Sequence, residues 1–310
     1  MARFGKGKPM GSQARAVLKA FLSLTSRHAA KQAEGIRGSR STGRIHSLAT
    51  FNKYATALKQ AGDWAKEAVG LRHLKAFTPE LAQQYLTDRA AQGIGQKQLD
   101  TDRNALEFIT GKGSLVRERA LTQSELHSRA YSPAQIRLIA AHQSDRNALA
   151  TELAWRAGLR AHELLTLQRA GEARAASHRH WSPDRFLGRD GERYIVTGKG
   201  GLRREVMIPH DLAARLEARR LETGRVVVDR GITYRQHYDI GGGNAWSKSF
   251  SEASSRVLGW SHGAHGLRHS YAQERMQKLQ GLGKAYYPAR EILSQELGHF
   301  RGDIVEVYLR

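Results

Sequence analysis

Between Ser47 and Thr110 apolar residues recur every three or four positions, the period of helices with one buried face. Leu48, Phe51, Tyr54, Ala55 and Leu58 mark a first helix from about Ser47 to Val69. A second opens at Thr78-Pro79-Glu80 and closes at Gly93; threonine suits the cap and proline the first turn. A third covers Gln96–Thr110, with Leu99, Leu106 and Ile109 apolar. Upstream, Ala16, Val17, Leu18, Ala20, Phe21 and Leu24 predict an amphipathic helix over Ala14–Leu24. Residues 45–113 thus read as a small all-α domain.

The polar stretch 114–131 (SLVRERALTQSELHSRAY) reads as a linker, and a new helix starts at Ser132-Pro133. The apolar run Leu149–Trp155 breaks at Gly158. From Glu192 to Pro209 the period changes to two: RYIVTG and LRREVMIP alternate around GKGG, the signature of a hairpin. Helical patterns return at Asp211–Leu221, Trp246–Gly259 and Gly266–Leu279, with Gly241–Gly243 as a loop. The expected fold is mainly α with a small antiparallel β-sheet, in two domains, the second spanning 132–310.

Charge narrows the possible partners. Lys and Arg number 50 against 29 Asp and Glu, a net +21, which is the electrostatic footprint of a nucleic-acid-binding protein. Residues 1–44 hold ten Lys or Arg and one acid, Glu34, and form a basic N-terminal arm. That arm is Arg-rich like a transit peptide but lacks the apolar core of a secretory signal. No run of 18 apolar residues suggests a membrane span. The absence of cysteine excludes disulfides and thiolate chemistry. A cytoplasmic, nucleoid-associated protein acting on DNA is the expectation.

Four stretches of the second half carry candidate chemistry. In AGLRAHELLTL, Arg160 and Glu163 are one helical turn apart, so the carboxylate can orient the guanidinium. TGKGGLRREV puts Lys199 at a hairpin tip. HGLRH places His265, Arg268 and His269 on one helix face. LGHFRGDIVEVYLR ends the chain with His299 and, nine residues later, Tyr308. On one continuous helix those two would face opposite sides, since nine residues turn through about 900°. Arg301-Gly302-Asp303 interrupts it, and Asp303 with Glu306 has the spacing of a capping box. A short separate helix from about Ile304 is therefore expected to carry Tyr308. Taken singly, each stretch has a bland reading: a surface ion pair, a tight turn, a core-packing tyrosine. A further reading takes His262, His265 and His269 as metal ligands of a nuclease, although no acid is grouped with them.

In their order and spacing the four stretches resemble the tyrosine recombinase (phage integrase) family, with its Arg, Lys, His-x-x-Arg, Leu-Gly-His and Tyr boxes. The resemblance covers roughly residues 45–310. It implies a two-domain DNA clamp, with 45–113 as core-binding domain and 132–310 as catalytic domain. It assigns catalytic roles to Arg160, Lys199, His265, Arg268, His299 and Tyr308, and supporting roles to Glu163 and His269. Tyr308 would attack phosphorus to leave a 3′-phosphotyrosyl link and a free 5′-hydroxyl. Arg160 and Arg268 would clamp the non-bridging oxygens, His299 would hydrogen-bond one, and Lys199 would protonate the leaving oxygen. No cofactor or metal is implied, and neither TGKGG nor GLGKA is a P-loop. The implied partners are double-stranded DNA, a homo-tetramer on synapsed sites and accessory DNA-bending proteins. The sequence departs from the family in a long segment before the hairpin (GEARAASHRHWSPDRFLGRDGER) and in a long Arg268-to-His299 interval. Relatives often continue past the tyrosine with a tail that docks on a neighbour; here Leu309 and Arg310 follow. A catalytically silent DNA-binding relative and a topoisomerase remain the alternatives.

Overall fold

The computed structural model describes residues 8–23, 25, 27–37, 41–122 and 127–310; the side chains of Arg27, His28 and Lys199 lie outside the described set. The chain divides into two compact units, Met1–Glu125 and Leu126–Arg310.

The first unit is all helical: α1 (Met10–Lys19), α2 (Arg27–Ala33), α3 (Leu48–Val69), α4 (Pro79–Ala91) and α5 (Gln96–Thr110). The cap at Thr78 is the one the sequence predicts, and Ser47 serves likewise. Ser47 accepts from the Thr50 amide at 3.1 Å and Thr78 from the Leu81 amide at 3.3 Å, satisfying otherwise orphaned donors. Leu58, Leu74, Leu86 and Leu106 fill the core. The first helix differs from expectation: it is Met10–Lys19 rather than Ala14–Leu24. Met10, Ala14 and Leu18 follow a four-residue repeat and bury against the core, so this part of the basic arm is built into the unit. Phe21 lies beyond the helix and packs its ring on Phe108, while Leu24 is outside the described residues. Part of the stretch read as a linker is likewise packed. Leu115 joins this core and Tyr131 the core of the second unit.

The second unit contains α6 (Pro133–Ala141), α7 (Asp145–Arg156), β1 (Gln168–Arg169), β2 (Glu192–Thr197), β3 (Arg203–Ile208), α8 (His210–Glu217), β4 (Arg220–Asp229), β5 (Ile232–Tyr238), α9 (Gly243–Leu258), α10 (Gly266–Gly281) and α11 (Tyr286–Glu296). Helix α6 opens with a reciprocal capping box between Ser132 and Gln135. Strands β1, β2 and β3 form an antiparallel sheet in which Thr197 pairs with Arg203 across the Lys199–Gly201 tip. One core gathers Ile136, Leu153, Val196, Ile208, Trp246 and Phe250; a second joins α10, α11 and the chain end through Tyr271, Met276, Leu293, Val305 and Tyr308.

Three features differ from the sequence reading, the first being α11, which the sequence reading did not include. Strands β4 and β5 form a second antiparallel sheet where one sheet was expected. Asp229 pairs with Ile232 across Arg230-Gly231, both with positive φ (49° and 77°), the geometry of a type I′ hairpin turn. The last element is a 3-10 turn, Gly302–Val307, and Asp303 does not cap it. Glu306 instead accepts from Arg290 and from the Tyr286 hydroxyl, each at 2.8 Å. These ties, with buried Val305, bind the tyrosine segment to α11.

Candidate active site

Residues from each of the four motifs converge, and a buried carboxylate organises them. Glu163 lies just after the break at Gly158, in a short 3-10 turn, and is wholly buried. Its Oε1 accepts from Arg160 Nη1 at 2.8 Å and its Oε2 from the Arg160 amide at 2.8 Å. Arg204, on β3, donates to the same Oε2 at 2.8 Å, and Arg268 Nη1 approaches to 3.9 Å. Burial alone would raise the carboxyl's pKa; Arg204, Arg160 and Arg268 outweigh it and hold Glu163 well below the usual range.

Arg268 sits in the first turn of α10 and is fully buried. Its guanidinium donates to the Gly158 carbonyl and, at 2.9 Å, to the Leu297 carbonyl. Burial first, and the nearby charge of Arg160 second, lower its pKa to about 10. Two backbone carbonyls and a carboxylate therefore fix the ion while leaving one edge turned toward His299.

His299 Nε2 is the meeting point. Arg160 Nη2 lies 3.2 Å from it, Arg268 Nη2 3.4 Å and the Tyr308 hydroxyl 3.2 Å. Guanidinium N–H groups only donate, so Nε2 is the acceptor and the imidazole proton belongs on Nδ1. The tyrosine hydroxyl then donates to Nε2. Burial, then Arg268 and Arg160, push the imidazole down to about 3, which keeps it neutral.

Tyr308 is itself buried, and its ring is surrounded by imidazoles. Its centroid is 4.9 Å from that of His269, 5.6 Å from His265 and 5.7 Å from His299. The Arg268 guanidinium lies over the ring at 5.5 Å. Gln273 donates to the carbonyls of Tyr308 (3.2 Å) and Arg310 (2.7 Å), holding this stretch from α10. His265, at the start of α10, is open to solvent on one side, and His269 is buried. Burial and nearby cations depress both, to about 3 and about 4.

The structure thus gathers Arg160, Glu163, His265, Arg268, His269, His299 and Tyr308. The backbone of Lys199 is at the β2–β3 tip; its side chain falls outside the described set. His262 packs its ring on Trp260, with centroids 4.5 Å apart and the planes tilted by 38°. Among the described residues no three His, Asp or Glu side chains are grouped as a metal site requires. The sequence reading missed Arg204, which also donates to the Glu296 carbonyl at 2.7 Å. Glu296 accepts from Arg275 and, at 2.7 Å, from the Tyr271 hydroxyl. A second buried ion cluster thereby backs the first.

The sequence matches no protein-family model and no curated protein. Solved structures do match. XerH site-specific recombinase, bound to palindromic difH substrate in a post-cleavage complex, aligns at 15% identity with a TM-score of 0.56, over 97% of this chain and 90% of that one. Its pre-cleavage complex on difH aligns with a TM-score of 0.55. A lambda integrase (75-356) dimer bound to a COC' core site aligns at 16% identity with a TM-score of 0.54, over 92% of this chain and 96% of that one. The chain has the fold of these tyrosine recombinases, mainly helical with small antiparallel sheets.

Proposed function

We propose that this protein is a site-specific DNA recombinase or integrase that cuts and rejoins strands through a phosphotyrosyl intermediate. One observation carries the reading: two guanidiniums and a tyrosine hydroxyl converge on a single imidazole nitrogen. One lone pair is a poor match for three donors. A phosphodiester, with one negative charge shared by two non-bridging oxygens and an electrophilic phosphorus between them, satisfies the same groups fully. The fold shared with DNA-bound recombinases and the net charge of +21 support it.

In this reading the substrate phosphate displaces the contacts of Arg160 and Arg268 with His299 and takes their hydrogen bonds in forked geometry. Arg268, already locked by carbonyls, needs no reorganisation when charge develops in the transition state. Such a preorganised donor typically contributes roughly 3–4 kcal/mol. Once the phosphate replaces the guanidinium donors, the imidazole proton moves from Nδ1 to Nε2 and His299 donates it to a non-bridging oxygen. The Tyr308 oxygen attacks phosphorus, and its proton passes to a neighbouring imidazole or to solvent, with His265 and His269 against its ring. Lys199, at the hairpin tip, protonates the departing 5′ oxygen. The covalent link conserves the phosphodiester bond energy, so rejoining requires neither metal nor ATP. The partners in this reading are double-stranded DNA, further copies of the chain forming a tetramer on synapsed sites, and accessory bending proteins. The 45–113 region acts as core-binding domain and 132–310 as catalytic domain, in a cytoplasmic, nucleoid-associated protein. Among the described residues no helix is long and apolar enough to cross a membrane.

The test is covalent trapping on nicked suicide DNA in the presence of chelator. A denaturation-resistant protein–DNA adduct that disappears in Tyr308→Phe is the expected result. Tight binding without an adduct on any candidate junction would replace this reading with that of a silent DNA-binding relative. A cleavage activity abolished by chelator would point to metal-dependent hydrolysis.

A further inference from the structure

The long segment between β1 and β2 has no role in the chemistry above, yet it is tied closely to the site. Its backbone docks at three points. The Ala176 amide donates to the Arg203 carbonyl at 2.9 Å, the Ser182 amide to Gln295 Oε1 at 2.7 Å, and the Phe186 amide to Glu296 Oε1 at 2.8 Å. Arg185 adds an ion pair to Glu205 on β3 at 3.0 Å. The segment is therefore pinned both to the hairpin and to the end of α11, from which His299 emerges.

The backbone at His299 is unusual. His299 stands between two residues of left-handed conformation, Gly298 (φ 74°) and Phe300 (φ 58°). Glycine adopts this region freely, but a bulky aromatic residue does so rarely and at a cost of order 1–2 kcal/mol. Such strain persists where the surroundings over-determine it. At Phe300 those surroundings come from the inserted segment. The Trp181 ring meets the Phe300 ring at 4.7 Å with an interplanar angle of 57°, and the Arg179 guanidinium lies over it at 4.9 Å. Trp181 is braced in turn: Arg185 covers its ring at 4.3 Å and its indole N–H donates to the Ala176 carbonyl at 3.0 Å.

We infer that Trp181 is a positioning residue: through Phe300 it holds the backbone bend that aims His299 Nε2 at Arg160, Arg268 and Tyr308. The inserted segment is then an internal jig for an imidazole that neither a helix nor a strand carries. Its reach is short, since Phe300 is covalently next to His299. The bearing of His299 on strand transfer rests on the function proposed above. Its orientation by Trp181 does not.

The experiment follows the imidazole directly. Long-range proton–nitrogen NMR spectra of the full-length protein report which ring nitrogen carries the proton, without any DNA. The groups facing this ring are Arg160, Arg204, Arg268, Glu163 and Tyr308. In the wild-type protein His299, assigned through His299→Gln, should show a neutral ring protonated on Nδ1. Trp181→Ala should convert it to the mixed-tautomer signature of a solvated histidine, and Trp181→Phe should restore the wild-type pattern. On DNA, Trp181→Ala should slow adduct formation on the order of 10²-fold, the usual consequence of a misplaced group, while the dissociation constant stays unchanged. Phe300→Gly, which keeps the bend accessible but removes the clamped ring, should reproduce the Trp181→Ala spectrum and serves if that variant does not fold. An unaltered His299 signature in either variant overturns the proposal. Absence of any wild-type adduct would count against the recombinase reading, and the spectra would still decide the role of Trp181.

Discussion

At the scale of single residues, the site consists of ions that are buried and paired and of imidazoles held neutral, His269 buried and His299 half-buried. The two behave differently as pH falls. Glu163 has a folded pKa below its unfolded value, so its contribution is complete above about pH 4.3 and is lost only in stronger acid. His269 and His299 are also depressed, to about 4 and about 3, but depression has the opposite consequence for a base. In the unfolded chain each takes up a proton near pH 6.5, and in the folded protein each resists it. The unfolded state thus binds more protons below about pH 6.5, and stability declines from there toward pH 4. The midpoint of urea denaturation should fall between pH 7.5 and pH 5, and His269→Gln should flatten that slope. A midpoint constant over this window would contradict imidazoles held neutral. Much of this residue set was legible as motif: Arg160, Glu163, His265, Arg268, His299 and Tyr308 stand in family order in the sequence. Arg204 was not, because Arg203-Arg204 reads as a solvated charge pair. The signal lay in parity. Arg204, Val206 and Ile208 alternate on one face of β3 and all are buried, whereas Arg203 is exposed. An arginine on the apolar face of a strand implies a buried acid opposite, here Glu163.

At the scale of elements, most helices and the GKGG hairpin announced themselves, whereas α11 and the β4–β5 hairpin did not. Ser47, Thr78 and Ser132 marked helix starts because a hydroxyl that caps a helix is a local matter, settled within four residues. The final capping box failed for a tertiary reason: the partners of Glu306 are Arg290 and Tyr286, some twenty residues back, and no local spacing reveals them. The β4–β5 hairpin was legible in principle, since RVVVDRGITYRQ flanks a two-residue turn with β-branched runs. Gly158 shows an element boundary serving the chemistry. It ends the α7 region with φ 60°, its carbonyl receives Arg268 and Arg204, and a Cβ there would lie 2.7 Å from the Tyr271 ring. Tyr271 has no room to yield, because its hydroxyl is held by Glu296. Gly158→Ala should therefore cost about 2–4 kcal/mol in chemical denaturation, combining backbone strain with overpacking. A cost below about 0.5 kcal/mol would mean the turn relaxes readily, and the geometry proposed for Arg268 would lose its anchor.

For the whole molecule the governing quantity is charge. Many arginines are neutralised internally, as in Arg169–Glu217, Arg215–Glu152 and Arg275–Glu296. These pairs consume acids and cations in equal number, so they leave the net excess of +21 untouched. Carried on a folded surface, that excess repels itself unless a polyanion is present. Duplex DNA binding displaces condensed counterions, and log affinity falls linearly with log salt, with a slope near −0.9 for each phosphate engaged. A protein contacting six to ten phosphates loses roughly 10³–10⁵ in affinity between 50 and 200 mM salt. This chain should fall in that range, for random DNA as well as for a duplex carrying a candidate junction, because phosphate contacts are blind to base sequence. The two substrates should part company in chemistry: the salt slope should be shared, while adduct formation in the trapping assay should appear on one of them. Titration of fluorescent duplexes over that salt range measures the slope. A slope near zero would remove the charge argument for nucleic acid and leave the convergence on His299 to be explained by an anion of another kind. A steep slope with no preference in trapping would instead describe a strand transferase whose choice of site is made by a partner.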